Sequence, residues 1–326
     1  MGSRISRRTA TRMVAIVVSL IAFTCERVSA EEKTEYRWDH TPVTKLALRT
    51  GEKTIWAYHF EADGGFPYIH PLATSDGTCL TALAPDDHPW HRAVWFSWKY
   101  LNGVNFWDWQ GGGETPVPPG RTVPVGKPEV SLDDQQATIV LNLHYTTDGQ
   151  VVLKERREIV MRVPRHDGSY TMDWQATFTA VETDVVLDRT PIPGQPDGVG
   201  YGGYAGLSFR GAASLRQVHS LDSEGRIDKQ SHGKAARWLD YHAVIDEMGH
   251  TAGVTIFDHP KNFRYPTPWY VSFGGMPYFS PAPIFHEPHT LSANESLTLR
   301  YRILVHSGRG DRQLLEREYQ KFASSE

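Results

Sequence analysis

The sequence predicts an all-β fold, a large two-sheet antiparallel β-sandwich, on three observations. Most segments alternate polar and apolar residues and are rich in β-branched and aromatic side chains, which is the period-2 pattern of half-buried strands. Helical periodicity is confined to one short segment near the C-terminus. The composition of the 326 residues, 40% hydrophobic and 22% charged with a mean hydropathy of −0.44, is globular and excludes disordered, collagen-like and multispan membrane chains.

The first thirty residues have the features of a secretory signal peptide. Four arginines precede an apolar stretch at residues 13–24, and a run of small residues ends at Ala30 as a cleavage site. We predict a signal peptide at residues 1–30, a single β-sandwich domain at residues 31–326, and export to the periplasm or the extracellular space. A pair of adjacent arginines leaves the twin-arginine route open beside the general one, and an uncleaved N-terminal anchor is the alternative.

The charge of the chain argues against two classes of partner. The formal net charge is −4, and residues 1–30 hold five arginines against one glutamate, so the remainder carries −8. Such a surface repels phosphate backbones and anionic lipids, so we expect no nucleic-acid partner and no membrane association after signal cleavage. Cys79 is the only cysteine beyond residue 30, so burial rather than a disulfide within this part must stabilise the fold.

Eleven segments carry the strand pattern. In chain order, they are residues 43–48, 54–60, 137–145, 151–163, 170–180, 206–210, 215–221, 238–244, 253–257, 269–273 and 297–306. A short C-terminal helix is predicted at residues 311–322, where four apolar side chains share one face. Residues 111–128 and 191–203 are rich in Pro and Gly, and we interpret them as long loops because the composition does not change across them.

The highest density of chemically active side chains lies at residues 68–109, which hold five tryptophans and three histidines among Asp, Asn and Arg side chains. Aromatic rings stack on the apolar face of a sugar while polar groups bind its hydroxyls, so this composition indicates a carbohydrate site. Imidazoles also titrate near neutral pH, where an adjacent carboxylate tunes them for proton transfer. The catalytic candidates are His70, Asp87, His88, His91, Arg92 and Asp108. The simpler alternative is an ordinary core strand with structurally hydrogen-bonded histidines.

Candidate substrate-binding residues come from three segments. A proline-stiffened loop at residues 258–269 follows a predicted strand and could face the same pocket as the histidines, although chance surface polarity is an equal alternative. The glycines at 198–203 would let nearby tyrosines approach a ligand, and their G-x-G-x-x-G spacing lacks the following helix of a nucleotide site. The full set is Trp95, Asn102, Asn105, Trp107, Trp109, Tyr201, Tyr204, Asp258, His259, Asn262 and Arg264.

No cofactor is firmly predicted, and a divalent metal is an open alternative. His88 and His91 lie three residues apart, but Pro89 disfavours the helix that would bring their side chains together. If a metal binds, the ligands would be His70, His88 and His91, with a nearby aspartate orienting one of them. The spacing matches no zinc signature.

Six motifs together resemble a known family. They are His70-Pro71 and residues 87–92, 102–107, 256–260, 266–270 and 300–302. They resemble a family of secreted bacterial proteins labelled "methane oxygenase PmoA" over about residues 35–310. Family members usually have His-His-Arg-Gly where this chain has Trp90-His91-Arg92-Ala93. The resemblance implies a soluble sandwich, similar in outline to the galactose-mutarotase-like sandwiches of carbohydrate-active enzymes, since the chain lacks the spanning helices of a membrane oxygenase subunit.

Our leading hypothesis is an exported carbohydrate-active enzyme, a hydrolase, lyase or epimerase, that uses His/Asp acid–base chemistry on a sugar, a glycoside or another small molecule. His88 and His91 would transfer protons, Arg92 would hold an anionic or hydroxyl group, and Trp107 with Tyr201 would stack on the ring. One alternative is a non-catalytic secreted glycan-binding protein. Another is a metal-dependent oxygenase, as the family label suggests.

Overall fold

The structure is a computed structural model that describes residues 1–2, 35–60, 66–108 and 119–325. The chain divides into two compact units, Met1–Thr34 and Glu35–Glu326. Every element described below belongs to the second unit. Most of the predicted signal peptide and the candidate Trp109 lie outside the described residues.

The described residues of this unit form twenty strands and one α-helix. Numbered in chain order, they are β1 (Arg37–Thr41), β2 (Lys45–Thr50), β3 (Lys53–His59), β4 (Tyr68–Leu72), β5 (Val94–Ser97), β6 (Tyr100–Leu101), β7 (Val104–Asn105), β8 (Arg121–Leu132), β9 (Gln136–Thr147), β10 (Gln150–Arg162), β11 (Tyr170–Ala180), β12 (Val185–Asp188), β13 (Gly206–Arg210), β14 (Arg216–Asp222), β15 (Trp238–Val244), β16 (Thr251–Asp258), β17 (Trp269–Ser272), β18 (Tyr278–Pro281), β19 (His289–Leu291), β20 (Ser296–Ser307) and α1 (Arg312–Ala323).

The strands form two large antiparallel sheets and one small one. The first sheet has the order β1-β2-β3-β4-β5-β13-β18-β17, and the second has the order β14-β15-β16-β20-β11-β10-β9-β8. Their facing side chains form one continuous apolar core, which includes Val94 and Phe209 of the first sheet and Ile159 and Ile303 of the second. The small third sheet has the order β19-β12-β6-β7. Burial of this shared core is the main stabilising term of the sandwich.

A buried ion pair connects the two large sheets inside this core. Arg157 donates from Nε to Glu155 at 2.6 Å and from Nη2 at 3.0 Å, and both residues belong to β10. From its third nitrogen Arg157 reaches the hydroxyl of Tyr58 on β3 at 3.2 Å. The hydroxyl of Tyr145 donates to the same glutamate at 2.7 Å. Every charged group is therefore hydrogen-bonded, which buried charges require.

The predicted antiparallel sandwich with a short C-terminal helix is confirmed. Helix α1 begins after Asp311, whose carboxylate accepts a hydrogen bond from the backbone N–H of Leu314 at 2.9 Å. Its apolar face packs Leu315, Tyr319 and Phe322 on the outer face of the second sheet.

One loop prediction is wrong. Residues 121–128, expected within a proline- and glycine-rich loop, belong to strand β8. Pro124 and Pro128 are tolerated because β8 is the edge strand of the second sheet, so their missing N–H groups leave no central ladder position unpaired. The short strands β1, β4, β12 and β18 were also missed, since four or five residues give too little alternation to recognise.

Candidate functional site

The outer face of the first sheet, away from the sandwich core, carries the candidate site. On β5, Val94 and Phe96 enter the core, so Trp95 between them points to the opposite face. In the sheet register, Trp95 lies opposite Ser208 on β13, and Arg210 on β13 lies opposite Tyr278 on β18. The same alternation therefore places polar and aromatic side chains of three neighbouring strands on one outward surface.

A second apolar cluster covers this surface, and we call it the aromatic face. Its buried members are Phe66, Trp95, Trp107, Tyr270, Tyr278, Ala282 and Phe285, with Tyr68, Trp90 and Tyr204 half-buried against them. The rings of Trp95 and Trp107 are 5.4 Å apart, and those of Trp107 and Tyr204 are 5.1 Å apart. Because Trp95 and Trp107 are buried, they form the wall of the site, and their role in substrate binding stays a prediction.

Four charged or titratable groups form a chain at one end of the aromatic face. The Nη2 group of Arg210 donates to both carboxylate oxygens of Asp87, at 2.8 and 2.7 Å. The other side of that carboxylate lies 3.0 Å from Nδ1 of His88. His88 in turn stacks on His91, with ring centroids 4.6 Å apart. The structure thus brings together the predicted Asp87, His88 and His91, and it adds Arg210.

The two histidines of this chain sit in different environments. His88 keeps 34% of its side chain exposed. His91 is buried among Trp95, Trp107 and Tyr278, and burial, together with the neighbouring His88 and Arg210, lowers its pKa to about 2. His91 is therefore neutral at physiological pH and cannot deliver a proton as an imidazolium.

Asp87 is held ionised. Partial burial acts to raise its pKa, but the hydrogen bonds and charge of Arg210 and the close approach of His88 outweigh this effect and leave the pKa below its ordinary value. In the described part of the chain, Nε and Nη1 of Arg210 are buried without a hydrogen-bond partner. The same holds for Nδ1 of His91 and for Nδ1 of His88, whose 3.0 Å approach to Asp87 is an ion-pair contact without hydrogen-bond geometry. Such groups are costly, and natural proteins concentrate them at functional sites.

His70 has contacts of its own. Nδ1 of His70 is 3.0 Å from Oγ1 of Thr81, and its carbonyl accepts a hydrogen bond from His59 at 2.8 Å. Burial lowers the pKa of His70. Arg92 is half-buried and forms a backbone bridge with Leu83, and its role in holding an anionic or hydroxyl group stays a prediction.

A second ion pair lies at the other end of the aromatic face. Lys99 is buried, pairs with Asp108, and has its ammonium 5.4 Å from the ring centre of Tyr204. Asn105 orients this turn, because its side-chain oxygen accepts hydrogen bonds from the backbone N–H groups of Trp107 and Asp108 at 2.8 and 3.1 Å. Asp108 and Asn105 therefore lie beside the site, although their contacts are with the protein itself.

Asn102 has a structural role. It lies in the turn between β6 and β7 with a φ of 49°, and its side-chain oxygen accepts a hydrogen bond from the backbone of Val186 at 2.8 Å. These contacts tie the small sheet together, and the role of Asn102 in substrate binding stays a prediction.

The predicted polar loop at residues 258–269 packs elsewhere. The buried Asp258 accepts hydrogen bonds from Asn262 at 2.7 Å and from the backbone of Thr267 at 2.8 Å. Burial raises its pKa to about 7, against the effect of those two bonds. Asn262 also binds the backbone of Arg300 on β20, and His259 lies 3.2 Å from the carbonyl of Ser325 beyond α1. Asp258, His259 and Asn262 therefore hold the loop to the second sheet and the C-terminus.

Arg264 braces a loop that borders the site. Its Nη1 group donates to the carbonyls of Pro283 at 3.1 Å and Glu287 at 2.8 Å, and its Nη2 group donates to the carbonyl of Pro288 at 3.0 Å. Arg189 donates to the carbonyls of Phe285 and His286 in the same loop. Arg264 thus supports the loop that carries Phe285 of the aromatic face, and its contact with substrate stays a prediction.

The glycine-rich segment at 198–203 brings two tyrosines to the site, as its position suggested. Tyr204 contacts Trp107 and Tyr270, and Tyr201 is exposed beside them, with its carbonyl 3.4 Å from the hydroxyl of Tyr270. Gly202 lies so close to the carbonyl of Pro191 that a Cβ would clash. Close packing, and no nucleotide, therefore accounts for these glycines.

Some important residues were not among the candidates. Arg210, Lys99 and Tyr278 all contact members of the aromatic face or its charged ends. One signal was available for Arg210, because an arginine completes the otherwise apolar predicted strand at 206–210.

Across residues 35–60, 66–108 and 119–325, no group of three or more His, Cys, Asp or Glu side chains is arranged to hold a metal ion. Within the same ranges, no helix combines the length and the apolar character needed to cross a bilayer.

The fold and the geometry of the site define a class of protein. It is an all-β sandwich with a polar site walled by aromatic rings. The chain belongs to the family of unknown function DUF6807, whose model matches residues 45–320. The resemblance to the family labelled "methane oxygenase PmoA" is therefore wrong, and the oxygenase hypothesis loses its basis. Comparison with curated proteins finds no match.

Comparison with solved structures finds distant similarity to sugar-processing enzymes. An alpha-galactosidase from Lactobacillus brevis has a TM-score of 0.38 at 9% identity, covering 85% of this chain and 40% of its own. The heparan sulfate lyase HepC mutant from Pedobacter heparinus has a TM-score of 0.37 at 7% identity, covering 86% and 37%. A putative kojibiose phosphorylase from the human microbiome has a TM-score of 0.33 at 10% identity, covering 64% and 25%. The chain spans less than half the length of each.

Proposed function

We propose that this protein is an exported carbohydrate-active enzyme whose site is the aromatic face of the first sheet. The observation that carries the proposal is the chain from Arg210 through Asp87 to His88 beside that face. A half-exposed imidazole oriented by an ionised carboxylate, itself anchored by a buried guanidinium, is an arrangement suited to general acid–base catalysis.

In this proposal His88 transfers the proton. Asp87 lies 3.0 Å from Nδ1 of the ring, and a small rotation that turns this contact into a hydrogen bond would fix the tautomer with Nε2 free to face the substrate. Arg210 keeps the carboxylate ionised and in place. His91 stays neutral and positions His88 by stacking.

Sugar binding would use the aromatic side chains that remain accessible. Trp90 packs edge-on against His88 at 5.3 Å between ring centroids, and Tyr201 is exposed, with its backbone carbonyl 3.4 Å from the hydroxyl of Tyr270. An accessible indole and an accessible phenol beside polar groups suit the alternating apolar and hydroxyl surfaces of a pyranose. The chemistry that follows proton transfer, whether hydrolysis, elimination or epimerisation, depends on the substrate.

The test is a glycan screen with the full chain. Thermal shift first selects oligosaccharides that stabilise the wild type, and their conversion is then followed by chromatography. We expect at least one glycan to bind and to be converted. His88→Gln should bind the same glycan without converting it, while His250→Gln, which removes an exposed histidine paired with Asp246 far from the aromatic face, should behave as wild type. Equal conversion by His88→Gln would overturn the role of this histidine.

A non-catalytic glycan-binding protein is the second candidate. It is favoured by the neutral state of His91, which leaves one proton-transfer group where many glycosidic reactions use two. Under this alternative, a glycan stabilises the wild type and His88→Gln alike, and neither protein converts it.

A further inference from the structure

A row of histidines crosses the outer face of the second sheet, the large face opposite to the core. His219 on β14 lies directly across from His242 on β15. His242 lies across from Gly253 on β16, and Gly253 from His306 on β20. These side chains belong to neither the aromatic face nor the sandwich core. Side chains directly opposite on antiparallel strands are close neighbours, so the first two imidazoles share one surface.

Each imidazole of the first pair has a carboxylate at its Nδ1 atom. Nδ1 of His219 is 3.1 Å from the nearer oxygen of Asp228, and Nδ1 of His242 is 2.8 Å from Asp240. When Nδ1 donates its proton to a carboxylate, Nε2 is left with a lone pair. This carboxylate–histidine arrangement is the one found behind metal-binding histidines, where it fixes the tautomer and raises the basicity of the ligand nitrogen.

The support behind His242 is rigid. Asp240 is fully buried and also accepts hydrogen bonds from His306 and Thr255, each at 2.8 Å. Gly253 makes this possible, because a Cβ at that position would lie 2.6 Å from the ring of His306 and 3.1 Å from Asp240. Three strands and one obligatory glycine therefore hold the carboxylate that orients His242.

The spacing of the two rings suits a shared metal ion. The ring centroids of His219 and His242 are 6.2 Å apart and the rings are tilted by 39°. Two imidazoles on one tetrahedral ion, with metal–nitrogen distances of about 2.0–2.1 Å, have centroids about 5 Å apart. A small rotation of His219, whose side chain is 53% exposed, closes the difference, while His242 is held with 12% exposure.

We propose that His219 and His242 form a binding site for a divalent transition-metal ion, with Zn²⁺ or Cu²⁺ as the ions whose chemistry fits two imidazoles best. Asp228 and Asp240 are the orienting carboxylates. Because no three ligating side chains are grouped in the described ranges, water completes the coordination. The site is separate from the aromatic face and needs no part of the proposed sugar chemistry.

The test is calorimetric titration of the chelator-treated, untagged full chain with ZnCl₂. We expect one saturable site per chain. His219→Gln should weaken Zn²⁺ binding at least about tenfold, and Asp228→Asn should weaken it by about tenfold through loss of the orienting bond. His219 is exposed, so His219→Gln leaves the fold intact, which circular dichroism verifies.

Two controls decide where any metal binds. His250→Gln removes another exposed carboxylate-paired histidine that has no second imidazole beside it, and it should leave Zn²⁺ affinity unchanged. His88→Gln should also leave it unchanged. The proposal is overturned by three results: absence of saturable binding to the wild type, unchanged binding to His219→Gln, or loss of binding in His88→Gln instead. The first two leave the sugar proposal untouched, because they concern only the second sheet.

Discussion

Arg210 determines the state of the candidate site at the scale of single residues. It lies 123 residues from Asp87 in the sequence, yet it makes two hydrogen bonds to that carboxylate. The sequence pointed to Arg92 instead, as a residue that would hold an anionic or hydroxyl group. Neighbours along the chain can be seen in a sequence, whereas the contact between the Asp87 loop and strand β13 cannot. The aspartate and the histidine at the site could be predicted, but their anchor could not.

The pKa of Asp87 offers a direct check of this anchor. Arg210→Met removes a cation and two hydrogen bonds that favour the ionised form, so the pKa of Asp87 should rise by about one pH unit or more. NMR titration of the aspartate carboxyl carbons measures it. Asp246, held by His250, serves as the internal control and should titrate as in the wild type. An unchanged Asp87 titration would show that Arg210 does not hold it.

At the scale of elements, the strongest predictions came from long strands with a clear buried face. Strand β11 (Tyr170–Ala180) has the predicted boundaries, because its apolar side chains alternate over eleven residues. Strand β8 was missed because its two prolines signal a loop, and only its position at a sheet edge makes them acceptable. Edge position depends on the assembled topology, which a single sequence does not display.

Helix α1 provides a stability prediction at this scale. Asp311→Ala removes the side-chain acceptor for the backbone N–H of Leu314, and the loss should lower the free energy of unfolding by about 1 kcal/mol. Urea denaturation followed by circular dichroism measures this change. Asp311→Asn keeps an acceptor oxygen and should stay close to wild type, so an equal loss in both variants would point away from capping.

At the scale of the whole molecule, the buried pair of Glu155 and Arg157 links the two sheets. Arg157→Met leaves the glutamate buried without its partner, which should cost about 3–5 kcal/mol of unfolding free energy. Replacing both Glu155 and Arg157 by leucine also removes the unpaired buried charge. We expect the double variant to be more stable than Arg157→Met in urea unfolding. A double variant as unstable as the single one would mean that the lost contact with Tyr58, and not the unpaired charge, dominates.

The sequence predicted the sandwich class correctly, but it did not predict which face of each strand lies in the core and which lies at the candidate site. The segment that holds Trp95 on β5 and Trp98 just after it shows no polar–apolar alternation in the sequence. Both faces of β5 are buried, one in the core and one in the aromatic face. The loop at 258–269 resembled the candidate site in composition, and its contacts with Arg300 and Ser325 place it on the second sheet and at the C-terminus. Composition alone therefore could not separate this loop from the residues of the candidate site.

The central claim is that His88, held by Asp87 and Arg210, transfers the proton to or from a sugar bound at the aromatic face. The most direct measurement compares kcat and Kd of wild type and His88→Gln on a glycan selected by the screen. We predict a loss of about 100-fold or more in kcat with Kd within a few-fold of wild type. A kcat that stays at the wild-type value, with correct folding verified, would contradict the claim.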